Sequence, residues 1–167
     1  MAIKGTLEIR NKLIHTESLD LSNPKEWFAN TVYQITDGTD ADQMDLIWHD
    51  QRTLAASTPE DLDLSGSLVD AFGTTMAFAD VRFMMIKASA SNTNDVWVGG
   101  TGTNAFFSFL GANTDYVIVK PGGTLFLYSP SDPSYAVTAA TADLLKIENS
   151  SSGTSVTYDI YIGGASA

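Results

Sequence analysis

The sequence predicts an all-β protein, an antiparallel β-sandwich or jelly roll of about ten strands with an N-terminal arm. Short apolar runs rich in β-branched and aromatic residues are separated by Gly, Pro, Asn, Ser and Thr. Several runs alternate between apolar and polar residues, and segments with helical periodicity are scarce. The 167 residues suit one compact domain. We expect an arm with the first strands (residues 1–35) followed by a β-sandwich body (residues 36–167).

The most regular strand predicted is 156–162, where every second residue is apolar and one face therefore meets the core. Leu145 and Ile147 alternate with polar residues in the same way. The stretch 149–154 between these runs is rich in Ser, Asn and Gly, which predicts a hairpin over residues 143–163.

A second hairpin is predicted from 116–120 and 124–128, which flank Pro121-Gly122-Gly123. Proline presets the first corner of a turn and Gly122 allows a positive φ at the second, so a type II turn is expected. The remaining predicted strands are Leu7–Ile14, Thr31–Ile35, Asp45–Leu54, Asp61–Leu64, Met76–Lys87, Val96–Val98, Ala105–Leu110 and Ala136–Thr138.

Two other local patterns stand out. Short helical turns are predicted at Pro24–Ala29 and Leu68–Phe72, the second closed by Gly73. The run Asp95–Gly100 (DVWVGG) returns as Asp159–Gly164 (DIYIGG), each after an apolar strand and a polar loop. Two copies are too few for a repeat array, so this similarity predicts two equivalent hairpins in packed sheets.

Composition excludes several classes of function. The chain has no cysteine, so it has neither disulfides nor thiolate metal sites. A net charge of −11 argues against nucleic-acid and anionic-membrane binding. No apolar run approaches the roughly 20 residues of a membrane span, and the N-terminus lacks the apolar block of a secretory signal, so we expect the chain to stay in solution.

Residues that could support chemistry are few. His15 and His49 have no nucleophile motif beside them, and we expect both to be surface or edge-strand residues. The acidic stretch 37–63 has a net charge of −7 and could supply the paired carboxylates of a glycosidase, but a solvated loop explains it better. Residues 37–45 resemble a calcium loop in composition and fail its spacing. We therefore predict no enzyme, no metal ion and no cofactor.

The predicted binding residues are basic or aromatic. Residues 1–14 carry Lys4, Arg10 and Lys12 against one glutamate, a net charge of +2 beside the acidic stretch, and we expect partner contacts within Met1–His15. Trp97 and Tyr161 would project from the face opposite the aliphatic residues of their strands, as at a protein contact or a sugar platform. Burial between sheets or under a loop is the structural alternative for both rings, and Trp48 is expected in the core.

Across about residues 34–165 the sequence resembles a family of small virion-associated proteins of tailed bacteriophages. The resemblance implies a β-sandwich particle component without enzymatic activity, and it assigns no site residues. The segments that carry it are Thr53–Ser57, Glu60–Gly73, Val117–Gly123, Tyr135–Ala139, Ala142–Ile147 and Thr154–Ile160.

We therefore expect a capsid decoration, or cement, protein that binds the outside of the shell and stabilises it. Its partners would be the major capsid protein and neighbouring copies of itself, with a homotrimer as one arrangement, and it would be made in the host cytoplasm and end on the capsid surface. The alternatives are a tail or fibre-base component, and a sugar-binding host-recognition module that uses Trp27, Trp97 or Tyr161 as stacking platforms.

Overall fold

The computed structural model describes residues 2–16 and 25–166, and all regular structure in them is β. The all-β class and the antiparallel pairing are confirmed and are consistent with a β-sandwich; a jelly roll is not confirmed. The eleven strands are β1 Gly5–His15, β2 Lys25–Ile35, β3 Leu46–Leu54, β4 Pro59–Asp63, β5 Phe78–Ala88, β6 Val96–Gly99, β7 Tyr116–Val119, β8 Thr124–Tyr128, β9 Tyr135–Ala136, β10 Leu144–Asn149 and β11 Val156–Ser166.

The strands form two sheets and a separate hairpin. One sheet has the order β3-β11-β5-β8, with β9 added to β5, and the other has the order β4-β10-β6-β7. The predicted alternation in β10 and β11 is confirmed, since Leu145, Ile147, Ile160 and Ile162 are fully buried. These inward rows form one hydrophobic core, to which Trp48 also belongs as expected. Strands β1 and β2 pair only with each other.

Both hairpins predicted within the body are wrong. Strand β10 pairs with β4 and β6, whereas β11 pairs with β3 and β5, so residues 149–155 cross from one sheet to the other. Strands β7 and β8 are likewise in different sheets. The turn between them is confirmed: Gly122 has φ 74°, and the Gly123 amide donates to the Lys120 carbonyl at 2.7 Å. Alternation shows which face of a strand is buried but does not specify its partner.

Four further predictions are corrected. The DVWVGG and DIYIGG runs lie on β6 and β11, in different sheets, and each follows a crossing between sheets and not a hairpin turn. Residues 105–110 contain one isolated bridge, from Ala105 to Leu144, and no strand. Residues 25–29 begin β2 and are not a helical turn; Pro24 lies outside the described residues. Residues 68–72 contain a bridge and a turn, closed by bonds to Asp70 Oδ1.

A buried arginine binds the segment that connects the hairpin to the body. Arg82, in β5, is 1% exposed and lies beside Asp80, which is 3% exposed. Its guanidinium donates to Thr39 O at 2.6 Å, Gln43 O at 2.8 Å, Asp40 O, and the carboxylates of Asp80 at 2.9 Å and Asp132 at 3.2 Å. Because one side chain satisfies three carbonyls of residues 39–43, it positions the root of the hairpin against the sandwich.

Candidate interaction surfaces

The β1–β2 hairpin is the most exposed part of the described structure. Its two strands of 11 residues pair in register from Gly5↔Ile35 to His15↔Lys25. Only Leu7, Tyr33 and Ile35 are partly buried, and all three lie near the root. There the ring of Tyr33 contacts that of Tyr128 with centroids 4.4 Å apart. Beyond the root, the hairpin extends into solvent.

The two faces of the hairpin differ in chemistry. Directly opposed residues share a face, so Leu13 and Trp27 lie on one face and Lys12 and Phe28 on the other. We call the first the Trp27 face; its members are Leu7, Ile9, Asn11, Leu13, His15, Lys25, Trp27, Ala29, Thr31 and Tyr33. We call the second the Arg10 face; its members are Thr6, Glu8, Arg10, Lys12, Ile14, Glu26, Phe28, Asn30, Val32 and Gln34.

The Trp27 face exposes several large apolar side chains that no other strand among residues 2–16 and 25–166 covers. Trp27 is 55% exposed and Leu13, directly opposite, is 66% exposed. Ile9 continues the surface towards the root, and His15 stacks on Trp27 at 6.4 Å at the free end. Contiguous exposed apolar residues of this size mark contact sites. This surface is the first candidate site.

The basic residues predicted to bind partners are exposed. Arg10 and Lys12 lie on the Arg10 face, where Arg10 Nε is 2.7 Å from Glu8 and Lys12 Nζ is 3.3 Å from Glu26. Lys4 precedes β1 and is also exposed. Residues 36–167 carry 16 of the 20 acidic and 5 of the 9 basic residues of the chain, a net charge of −11, whereas residues 1–35 carry four of each and are neutral, with the basic excess confined to residues 1–14.

The structure does not bring Trp97 and Tyr161 together. Trp97 lies on β6 and Tyr161 on β11, and each side chain points away from the core, outward from a different sheet. Trp97 is half-buried and stacks on Tyr116 at 4.8 Å, whereas Tyr161 is 38% exposed and stacks on His49 at 5.8 Å. They cannot form one contact surface.

A groove lies along the outer edge of β3. This strand pairs with β11 on one side, and no described strand pairs with its other side. Consecutive residues 45–50 form one wall and residues 69–74 the other, and the groove has a volume of about 700 Å³. Ile47, Val69 and Phe72 are 47%, 49% and 74% exposed, above the buried Trp48 and Met76. The groove is the second candidate site.

The groove has acidic walls. Among the described residues that line it are Asp45, Asp50 and Asp70, and none is Lys or Arg. Ile3 lines one end, next to the point where the hairpin leaves the body, and its amide donates to Asp37 Oδ1 at 2.8 Å. An apolar strand with basic neighbours would suit this groove better than an anion.

The residues considered for chemistry are held in structural contacts. Carboxylates of the acidic stretch bind Arg52, with Asp50 at 3.1 Å and Glu60 at 2.6 Å, and the Glu60 contact raises the Arg52 pKa. Burial raises the pKa of Tyr158, and the hydrogen bond that its hydroxyl donates to Glu60 raises it further. No three metal-ligating side chains lie together among residues 2–16 and 25–166.

Within the described part of the chain, no helix is long and apolar enough to cross a bilayer.

Sequence reasoning missed the two apolar surfaces. It placed Trp27 in a helical turn and assigned the arm's contacts to charge, whereas Leu13, Trp27 and Phe28 are the most exposed large apolar side chains of the hairpin. A partial signal was present, because Leu7, Ile9 and Leu13 alternate with polar residues in β1. Phe72 was also placed in a helical turn, which hid its exposure.

Comparisons with known proteins assign the chain to no family. No family model matches the chain, and neither the curated proteins nor the solved structures provide a match. The resemblance to virion-associated proteins therefore stays a prediction, and the two candidate surfaces are the structural basis for a function.

Proposed function

We propose that this chain is a structural virion protein of a tailed phage, most specifically a capsid decoration protein that binds the outside of the assembled shell and stabilises it. One observation carries the proposal: a hairpin of two 11-residue strands that exposes its large apolar side chains. An isolated two-stranded hairpin is at best marginally stable in water, so a partner that covers it would add to its stability. Such an arm suits a protein whose activity is adhesion.

The Arg10 face is the proposed contact with the shell. Its ion pairs are exposed, with 70% of the Arg10 side chain and 56% of the Lys12 side chain accessible. Exposed pairs of this kind contribute little to stability, so both cations can exchange onto carboxylates of a capsid subunit at small cost. Phe28 and Val32 on the same face add apolar area. Repeated over many equivalent positions on a shell, modest contacts add up to strong attachment.

The tail and host-recognition alternatives are separated by location and ligand. A tail or fibre-base component would use the same hairpin, so the decisive measurement is where density for this chain lies in a reconstruction of the native particle. A sugar-binding module would quench tryptophan fluorescence on titration with glycans. Trp27, Trp97 and Tyr161 each already have an aromatic neighbour, which argues against three open platforms.

The proposal is tested by decorating undecorated capsids with purified full-length chain. Replacing Arg10 and Lys12 together by glutamate should lower the bound copies at least tenfold, because the Arg10 face, now balanced by Glu8 and Glu26, would then carry four carboxylates and no cation. Lys120→Glu is the matched control: this lysine is equally exposed on the body and paired with Asp95, and its variant should bind normally. Equal loss in the control, or absence of the chain from finished virions, would contradict the proposal.

A further inference from the structure

We propose that the groove along β3 receives the hairpin of a second copy of this chain, so that copies are joined by exchange of their arms. The Trp27 face would lie over the exposed apolar residues of the groove, beside the free edge of β3. This inference goes beyond attachment to a shell, since it assigns a partner to each of the two apolar surfaces and needs no virion.

Charge and polarity select this occupant. The Trp27 face carries Lys25 and no carboxylate, and the groove walls carry three aspartates. The groove also exposes Ile47, Val69 and Phe72, which need an apolar counterpart. The Trp27 face provides both features together, because Lys25 lies two positions from Trp27 on the same face of β2. Complementary charge orients the contact, and the apolar side chains supply its affinity.

The backbone supports the same arrangement. Strand β3 leaves one edge unpaired among the described strands, and both outer edges of the hairpin are unpaired as well. Unpaired edges are templates for strand addition, in which main-chain hydrogen bonds extend a sheet. Consecutive residues 45–50 line the groove, as expected where a strand edge and not one face of a strand borders it.

The hairpin cannot fill the groove of its own chain. Ile3 marks where the arm leaves one end of that groove, and Leu13 lies eight residues beyond the start of β1. At about 3.3 Å per residue, an extended strand carries Leu13 roughly 26 Å from the root. The exposure of Leu13 and Trp27 agrees with this separation. The occupant is therefore the arm of another copy.

Each copy has one arm and one groove, which restricts the assembly. A contact between unlike surfaces closes as a reciprocal dimer or a small ring when the rotation permits, and a trimer is one such ring. In a closed ring every arm lies in the groove of a neighbouring copy, and the Arg10 faces stay available for a different partner. Attachment to a shell and association between copies thus depend on opposite faces of one hairpin.

The test measures self-association of the purified full-length chain by sedimentation and native mass spectrometry. The wild-type chain should form a closed oligomer, and Trp27→Glu or Phe72→Lys should each shift it to monomer by at least a hundredfold in dissociation constant. Both side chains are more than half exposed, so neither substitution removes a core residue. Phe28→Glu is the matched control, an equally exposed aromatic on the opposite face, and should leave association unchanged.

A mixture of the two defective variants is the decisive measurement. The Trp27→Glu chain keeps an intact groove and the Phe72→Lys chain keeps an intact arm, so together they should form a 1:1 heterodimer that neither forms alone. A monomeric wild-type chain, persistent association of either variant, or no heterodimer up to the solubility limit would overturn the inference. A wild-type chain that self-associates but does not decorate capsids would count against the proposed function alone.

Discussion

Replacing Arg82 by methionine should lower the free energy of unfolding by about 3–5 kcal/mol, the cost of removing one partner of a buried ion pair. Methionine has a similar length, so the change removes charge and hydrogen bonds with little change in volume. Asp80, 3% exposed, would be left as a buried carboxylate without its cation. The three carbonyls of residues 39–43 would also lose their donor, which places the expected value towards the upper end.

Urea denaturation followed by tryptophan fluorescence measures this loss, and a thermal melt should show a fall in Tm of roughly 10 °C. Lys87→Met is the control, since Lys87 is an exposed lysine of the same strand and its replacement should stay within about 0.5 kcal/mol. Adding Asp80→Asn to Arg82→Met should recover part of the loss by removing the buried charge. A cost below about 1 kcal/mol for Arg82→Met, or no recovery in the double variant, would refute the reasoning.

Three further outcomes are expected. Asn149→Leu should cost about 2–3 kcal/mol in urea denaturation, because this buried amide donates to two loop carbonyls at 2.8 and 3.0 Å. The raised pKa of Tyr158 means that stability falls as pH rises above about 10, where the unfolded phenol ionises first; Tyr158→Phe should flatten that decline in alkaline melts. Gly164→Ala should lower the free energy of unfolding by about 2 kcal/mol or more, because the added Cβ would lie 2.0 Å from a carbonyl oxygen of β5. Gly5→Ala is the control: nothing lies near the added Cβ, so this variant should be neutral in the same melts.

The hydrogen bonds of Arg82 give the exposed arm a defined position relative to the sandwich. Residues 39–43 follow the hairpin directly, and their carbonyls are held by a side chain inside the sandwich. An arm attached through such a segment presents its two faces in a defined direction. Preorganisation of this kind reduces the ordering cost of association, so fewer contacts are needed for a given affinity.

Much of the local structure could be predicted from residue order. Alternation in 156–162 identified Ile160 and Ile162 as core residues, and the Pro-Gly-Gly sequence identified a turn. Strand pairing could not be predicted, because the short links after β7 and β10 serve equally well as hairpin turns or as crossings between sheets. The buried Arg82 was also hidden, since its partners are backbone carbonyls some 40 positions away.

The candidate surfaces could likewise be predicted only in part from the sequence. The net charge of +2 in residues 1–14 and of −11 in residues 36–167 follows from composition, because charge is a property of the residues themselves. Exposure of Trp27 and Phe72 is different: an apolar side chain is buried or free according to what the rest of the chain places over it. The sequence alone therefore determined the β character, the core rows and the charge asymmetry. Only the tertiary structure decided which strands are neighbours and which apolar residues are left uncovered, because both depend on contacts between distant parts of the chain.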